Sequence, residues 1–82
     1  MPEQRTWLTM AGSAQYRIRL QGVIKRDWLE QMSRMRVSYR NVGKVNAITV
    51  LTGAVLDQAE LISFLNRLYD LGLPLISIQW LG

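Results

Sequence analysis

The sequence contains no cysteine and no histidine. Their absence excludes thiol nucleophiles, disulfide bonds, thiolate and imidazole metal ligands, and histidine as a general base. Acidic residues are few, six against ten basic ones. Four of the six, Asp27 with Glu30 and Asp57 with Glu60, have the spacing of residues that start helices. We therefore expect no catalytic residues, no metal site and no cofactor, and we predict that the chain is not an enzyme.

Long hydrophobic runs are also missing. No apolar stretch reaches the roughly 18–20 residues that a membrane-spanning helix requires. The N-terminal residues include Glu3 and Arg5 and contain no apolar signal region. We accordingly expect no membrane partner and a cytoplasmic location. A length of 82 residues with 49% hydrophobic residues fits one small domain whose core is only just sufficient.

The strongest local signal lies in residues 51–78. Asp57 precedes an apolar-periodic run and Glu60 follows it at capping-box spacing, which predicts a helix start. Gly72 is suited to the left-handed residue after a helix, and Pro74 prevents the helix from continuing. The almost wholly apolar stretch after Pro74 predicts a strand.

The chain up to residue 52 predicts three further strands and another helix. Residues 15–22 alternate between apolar and polar side chains, as a half-buried strand does. Asp27 is expected to cap a short helix that continues to Met35. Residues 36–40 and 46–52 are predicted to form two strands joined by a turn that contains glycine.

In this order the elements are those of a ferredoxin-like βαββαβ sandwich, an α+β fold. It consists of a four-stranded antiparallel sheet with two helices on one face. Leu20–Ile24 and Leu51–Val55 are each followed by Asp-x-x-Glu, so the two halves are expected to correspond. The domain is expected to span residues 14–82. Residues 1–13 are expected to form an N-terminal tail that is either flexible or docked through its apolar residues.

The sheet face that the helices leave uncovered is the main candidate site. The residues expected to form a contact there are Arg17, Arg19, Gln21, Ile48, Val50 and Trp80. Aliphatic groups flanked by arginines on an uncovered face are typical of an interface. We therefore predict a non-catalytic structural or regulatory interaction module that forms homo-oligomers, as a dimer or a larger assembly.

The uneven charge distribution supports an alternative function. Residues 1–44 hold nine of the ten basic residues and carry a net charge of +6, whereas residues 45–82 carry −2. A basic face of this kind can bind nucleic acid or another acidic partner. The candidate contact residues are Arg17, Arg19, Arg26, Arg36 and Arg40.

One short run implies a second alternative. Residues 19–26, R-L-Q-G-V-I-K-R, resemble the phosphate-cradling loop of acylphosphatases, which share the ferredoxin-like fold. By this resemblance Arg26 would match the phosphate-binding arginine, whereas Ile24 replaces the second glycine of that loop. The resemblance implies an acyl-phosphate hydrolase. Small-ligand sensors of the ACT type share the same topology, and Gly22 in the first loop is the one feature that suggests them.

A longer resemblance covers residues 14–80. The runs L-T-G-A-V-L-D-Q-A-E-L and L-G-L-P-L-I-S-I, at residues 51–61 and 71–78, are similar to a recurrent pattern in small bacterial proteins of unknown function. The matching residues in the first half are Tyr16, Ile18, Leu20, Gly22 and Trp28. The resemblance implies a fold and a bacterial source, and it transfers no activity.

Overall fold

The computed structural model describes residues 13–82, so the N-terminal tail expected at residues 1–13 lies outside the described residues except for its last one. The elements are β1 (Ala14–Gln21), α1 (Arg26–Met32), β2 (Arg36–Arg40), β3 (Ile48–Val55), α2 (Gln58–Asp70) and β4 (Leu75–Trp80). The strands form one antiparallel sheet in the order β2-β3-β1-β4. The predicted ferredoxin-like α+β fold is confirmed.

The core lies between one face of the sheet and the two helices. Ile18 on β1 pairs with Leu51 on β3, and Leu51 pairs with Val37 on β2. The buried cluster comprises Ala14, Tyr16, Ile18, Leu20, Leu29, Met35, Val37, Leu51, Val55, Leu61, Phe64 and Leu68. Both helices contribute to it, so they cover the same face. Leu20 and Leu51 point inward, as predicted.

Helix α2 begins at the predicted capping residues. The Asp57 carboxylate accepts a hydrogen bond from the Glu60 amide at 2.9 Å. The Glu60 carboxylate accepts in turn from the Leu56 amide at 2.6 Å, one residue before the expected amide of Asp57. This reciprocal arrangement satisfies amides that the first helical turn leaves without partners.

The end of α2 also follows the sequence pattern. Gly72 has a φ of 73°, in the left-handed region. The amides of Gly72 and Leu73 donate to the carbonyls of Tyr69 and Leu68 at 2.9 and 3.1 Å, which is a Schellman motif. Because Pro74 follows directly, the chain leaves the helix and enters β4.

Helix α1 differs from the prediction at both ends. Asp27 lies inside its first turn, and the residue before the helix makes no side-chain cap, so the predicted cap by Asp27 is wrong. The helix ends at Met32, earlier than expected. The Ser33 hydroxyl donates to the Leu29 carbonyl and accepts from the Met35 amide, both at 3.2 Å. One serine side chain thus ends the helix without a glycine or a proline.

The two glycines expected to correspond have different roles. Gly22 follows β1 with a φ of 93°, a conformation that favours glycine. Gly53 lies inside β3, where it pairs with Tyr16. A Cβ atom added to Gly53 would lie 3.0 Å from the Cα atom of Met35. Close packing explains Gly53, whereas backbone conformation explains Gly22.

We expect Gly53→Ala to lower the free energy of unfolding by about 1–3 kcal/mol, because the Met35 backbone must move to admit the methyl group. Urea unfolding followed by circular dichroism measures this loss. Ala54→Val is the matched control, since Ala54 is exposed on the other face of β3 and its variant should stay within about 0.5 kcal/mol. An equal loss in both variants would contradict the packing explanation.

Candidate functional site

The outer face of the sheet, opposite the helices, carries three rows of cross-strand neighbours. The rows are Arg17–Thr52–Arg36, Arg19–Val50–Ser38 and Gln21–Ile48–Arg40. We call this surface the arginine face, defined by Arg17, Arg19, Arg36 and Arg40 around Ile48, Val50 and Thr52. Five of the six residues predicted for the contact therefore lie on one surface.

Negative charge lies elsewhere in the described part of the chain. Its side-chain carboxylates are Asp27, Glu30, Asp57, Glu60 and Asp70, all in the helices or at a helix cap. Among residues 13–82 the one ion pair joins Arg34 to Glu60 at 3.2 Å, so none of the four arginines of the arginine face takes part in an ion pair there. The arginine face is therefore a cationic surface without carboxylates within residues 13–82.

Two of its arginines have neutral hydrogen-bond partners on β4. The Arg17 guanidinium donates to the side-chain oxygen of Gln79 and the Arg19 guanidinium to the Ser77 hydroxyl, both at 3.4 Å. These long hydrogen bonds orient the side chains and leave their charge uncompensated. Each guanidinium has five N–H donors, so most of the donors on both arginines are available to a ligand.

The centre of the arginine face offers little apolar contact area. Val50 is only 5% exposed between its cross-strand neighbours, and Ile48 is half-buried. Trp80, which was predicted for this surface, pairs with Tyr16, whose side chain is in the core. Trp80 therefore lies on the helix-bearing side, and that placement was wrong. Within residues 13–82 no aromatic side chain stands on the arginine face.

Arg26 is also separate from the arginine face. Its guanidinium carbon lies 5.5 Å from the ring centroid of Tyr39, a cation–π geometry on the helix-bearing side. Arg26 thus does not combine with the four sheet arginines, although it was predicted as a contact residue alongside them.

The loop after β1 is held by side chains from β2 and β3. Thr49 Oγ1 accepts from the Ile24 amide at 3.0 Å and donates to the Gly22 carbonyl at 2.7 Å. The Tyr39 hydroxyl donates to the Ile24 carbonyl at 2.7 Å. A phosphate cradle needs amides that are free to donate, and the Ile24 amide is already engaged. The loop therefore lends no support to the hydrolase that its resemblance implies.

Strand β4 presents an apolar surface, and Trp80 is the one residue of it that the sequence interpretation named as a contact. Leu75, Ile78 and Trp80 pair with β1 residues whose side chains are in the core, so they lie on the helix-bearing side. They are nevertheless 48%, 40% and 47% exposed. The reason is that α1 approaches β2 and α2 approaches β3 most closely, which leaves β4 beyond the helix layer. We call Leu75, Ile76, Ile78, Trp80 and Leu81 the β4 apolar strip.

The two edge strands of the sheet differ in composition. Strand β2 carries arginine at both ends, Arg36 and Arg40, whereas β4 reads LISIQW and has no charged residue or proline. Charged residues and prolines on an edge strand normally prevent further pairing. A groove of about 440 Å³ between the end of α2 and the start of β4 extends the apolar surface, with Leu65, Tyr69 and Leu73 in its lining.

A family model provides the identification. The model described as Domain of unknown function (DUF8691) matches residues 15–79, most of the chain. The chain belongs to this family. No curated protein and no solved structure matches it. The DUF8691 match contains the whole arginine face and all of the β4 apolar strip except its last two residues.

Two further observations concern the described residues of this DUF8691 domain. Residues 13–82 contain no group of three or more acidic, histidine or cysteine side chains that could hold a metal ion. None of the helices in that range is both long enough and apolar enough to cross a membrane.

Proposed function

We propose that this DUF8691 domain is a non-catalytic self-association module whose copies pair through the edge of β4. The observation that carries the proposal is the uncharged, half-exposed edge strand with its apolar strip. The partner is a second copy of the same chain. An interaction module of this kind is the function predicted from the sequence, but we place the contact on a different surface.

Main-chain geometry supports pairing between two β4 strands. The Leu81 amide donates to the Gln15 carbonyl at 2.7 Å, which marks a hydrogen-bonded pair of the β1–β4 ladder. Because such pairs alternate in an antiparallel ladder, the main-chain groups of Ile78 point away from β1. The register shift near Leu75 leaves residues 77–80 in regular pairing with β1. Within this regular segment, the outward-pointing main-chain groups of Ile78 are suited to pairing with a second strand.

Symmetry makes this contact self-limiting. Two antiparallel β4 strands are related by a two-fold axis perpendicular to the sheet, and each edge is used once, so the assembly closes as a dimer. The axis keeps both helix layers on the same side. The two apolar strips therefore become neighbours, and their mutual burial contributes about 25 cal/mol per Å² of apolar surface removed from water.

Charge argues against pairing through the arginine face, where the sequence analysis placed the contact. Two copies would bring eight arginines together with no carboxylate among the described residues of the face. Like charges brought together at an interface cost several kcal/mol. Val50, the expected apolar centre, is already 5% exposed in one copy and adds little area.

Ile78→Lys tests the contact. We expect the wild-type chain to have twice the mass of a 9.5 kDa monomer, and Ile78→Lys to have the monomer mass. A lysine at this position places a charge in the middle of the shared edge. The measurement is size exclusion with light scattering, on the full chain, over a concentration series that extends into the millimolar range.

Ile62→Lys is the matched control, because Ile62 is a similarly exposed isoleucine on α2, outside the β4 edge. It should keep the dimer mass. Ile48→Asp should also keep it, since Ile48 lies on the arginine face. A wild-type monomer at the highest concentration would overturn the proposal. If Ile48→Asp dissociated the dimer and Ile78→Lys did not, the contact would lie on the arginine face instead.

A further inference from the structure

We infer that the arginine face binds the sugar-phosphate backbone of duplex nucleic acid without reading its bases. The inference concerns the sheet face opposite Leu75, Ile78 and Trp80 and does not require self-association. It rests on the spacing of the four arginines, on the absence of carboxylates among the described residues of the face, and on the chemistry of the residues between the arginines.

The spacing of the arginines fits a polyanion. Arg17 and Arg36 occupy one row, two strand spacings apart, which is roughly 10 Å. Arg36 and Arg40 are four residues apart on β2, or roughly 13 Å. The Arg17 and Arg19 guanidinium groups also bond to Gln79 and Ser77 on β4, on the side of β1 that faces away from β2. The four charges are therefore spread across the face and do not converge on one phosphate site. A chain of phosphates can contact all four.

The residues around the arginines favour phosphate over an acidic protein surface. Gln21, Ser38 and Thr52 stand in the same rows and supply side-chain N–H and O–H groups of the kind that contact phosphate and sugar. Protein interfaces depend instead on a centre of exposed apolar and aromatic side chains. This face has no aromatic side chain within residues 13–82, and Val50 at its centre is shielded.

The same composition argues for a duplex and against base recognition. Sheet surfaces that bind single strands stack the bases on exposed aromatic side chains. Without such rings the arginine face contacts only phosphates and sugars. A duplex presents phosphates at regular spacing and at high charge density. Binding is therefore expected to be independent of sequence and steeply dependent on salt.

Self-association would extend this surface. A two-fold axis perpendicular to the sheet places the arginine faces of both copies on the same side, so a dimer presents eight arginines to one duplex. The second face then binds at a high effective concentration, which raises affinity without any new contact. The monomer retains one complete arginine face, so binding by the monomer is weaker but persists.

The test compares two double substitutions that remove the same charge. Arg17→Gln with Arg36→Gln alters the arginine face, whereas Arg26→Gln with Arg67→Gln alters the helix-bearing side. Fluorescence anisotropy with a labelled DNA duplex of mixed sequence measures the affinity at several salt concentrations. Each lost phosphate contact reduces the slope of log K against log salt by about 0.9.

We expect the arginine-face variant to lose about two units of slope for each bound copy and at least about tenfold in affinity at low salt, with the control variant within about twofold of the wild type. Equal losses of affinity in the two variants would mean that binding depends only on the net charge of the protein, which would overturn the inference. Tighter binding of a single strand than of the duplex would also overturn it, and so would equally tight binding of polyglutamate.

The masses of the variants separate this inference from the proposed function. Both double variants should keep the wild-type mass, because neither alters β4. A monomeric wild-type chain that still binds duplex with the expected salt slope would overturn only the self-association. A dimer that binds no duplex at low salt would overturn only the inference.

Discussion

Leu51→Ala is expected to lower the free energy of unfolding by about 2–5 kcal/mol, the range for removing a large aliphatic side chain from a core. Leu51 is 0% exposed, and its cross-strand neighbours are Ile18 on one side and Val37 on the other. Because β3 lies inside the sheet, the surrounding strands cannot close the cavity easily. Stability totals only about 0.05–0.15 kcal/mol per residue, so this loss consumes much of the margin of so small a domain.

The measurement is urea unfolding, with circular dichroism and tryptophan fluorescence as two probes of one transition. Leu56→Ala is the matched control, because it removes the same atoms from a side chain that is 51% exposed. It should change the free energy of unfolding by no more than about 0.5 kcal/mol. Comparable losses at the two positions would mean that Leu51 is not a central core residue.

Thr49→Val is expected to lower the free energy of unfolding by about 1–3 kcal/mol, although valine has nearly the same shape. Thr49 is 0% exposed and is the one buried polar side chain among the described residues. Its hydroxyl serves both the Ile24 amide and the Gly22 carbonyl, which lose their partner in the variant. Removing one partner of a buried hydrogen bond leaves the other with its full desolvation cost.

Two control variants separate the contribution of the Thr49 hydroxyl to stability from the contribution of its methyl group. Thr49→Ser keeps both hydrogen bonds and should cost about 1 kcal/mol for the lost methyl group. Thr52→Val makes the same chemical change on the outer face of β3 and should stay within about 0.5 kcal/mol. Hydrogen exchange at the Ile24 amide provides a second measurement, since exchange should accelerate in Thr49→Val and remain slow in Thr49→Ser. A Thr49→Val variant as stable as the wild type would show that the loop after β1 needs no support from β3.

Helix α2 could be predicted from the sequence because its signals are local. Asp57, Glu60 and Gly72 act on main-chain groups within a few residues of themselves, and the structure confirms their roles at both ends of the helix. Helix α1 could not be placed so well, because Asp27 has the same pattern but lies inside the first turn. The Ser33 side chain ends α1 through its two hydrogen bonds. In the sequence, a serine with this role looks the same as an ordinary surface serine.

The arginine face could be predicted because β1 and β3 alternate in character. A period of two assigns Arg17 and Arg19 to one side of the sheet and Ile18 to the other, and pairing then brings Val50 beside Arg19. Strand β4 contains apolar residues at almost every position, so alternation says nothing about its faces. The placement of Trp80 depends on a register that shifts by one residue near Leu75.

The chain alone determined the order of its elements, the caps of its long helix, and a sheet with one basic side, because each depends on contacts between residues close in sequence or on simple alternation. The tertiary structure decided how far the helices reach across the sheet. How far they reach depends on where the two helices pack over β2 and β3. Residues that are distant in sequence determine that position together. Strand β4 lies outside the helix layer, so its apolar residues, which have the composition of a core strand, form an exposed surface.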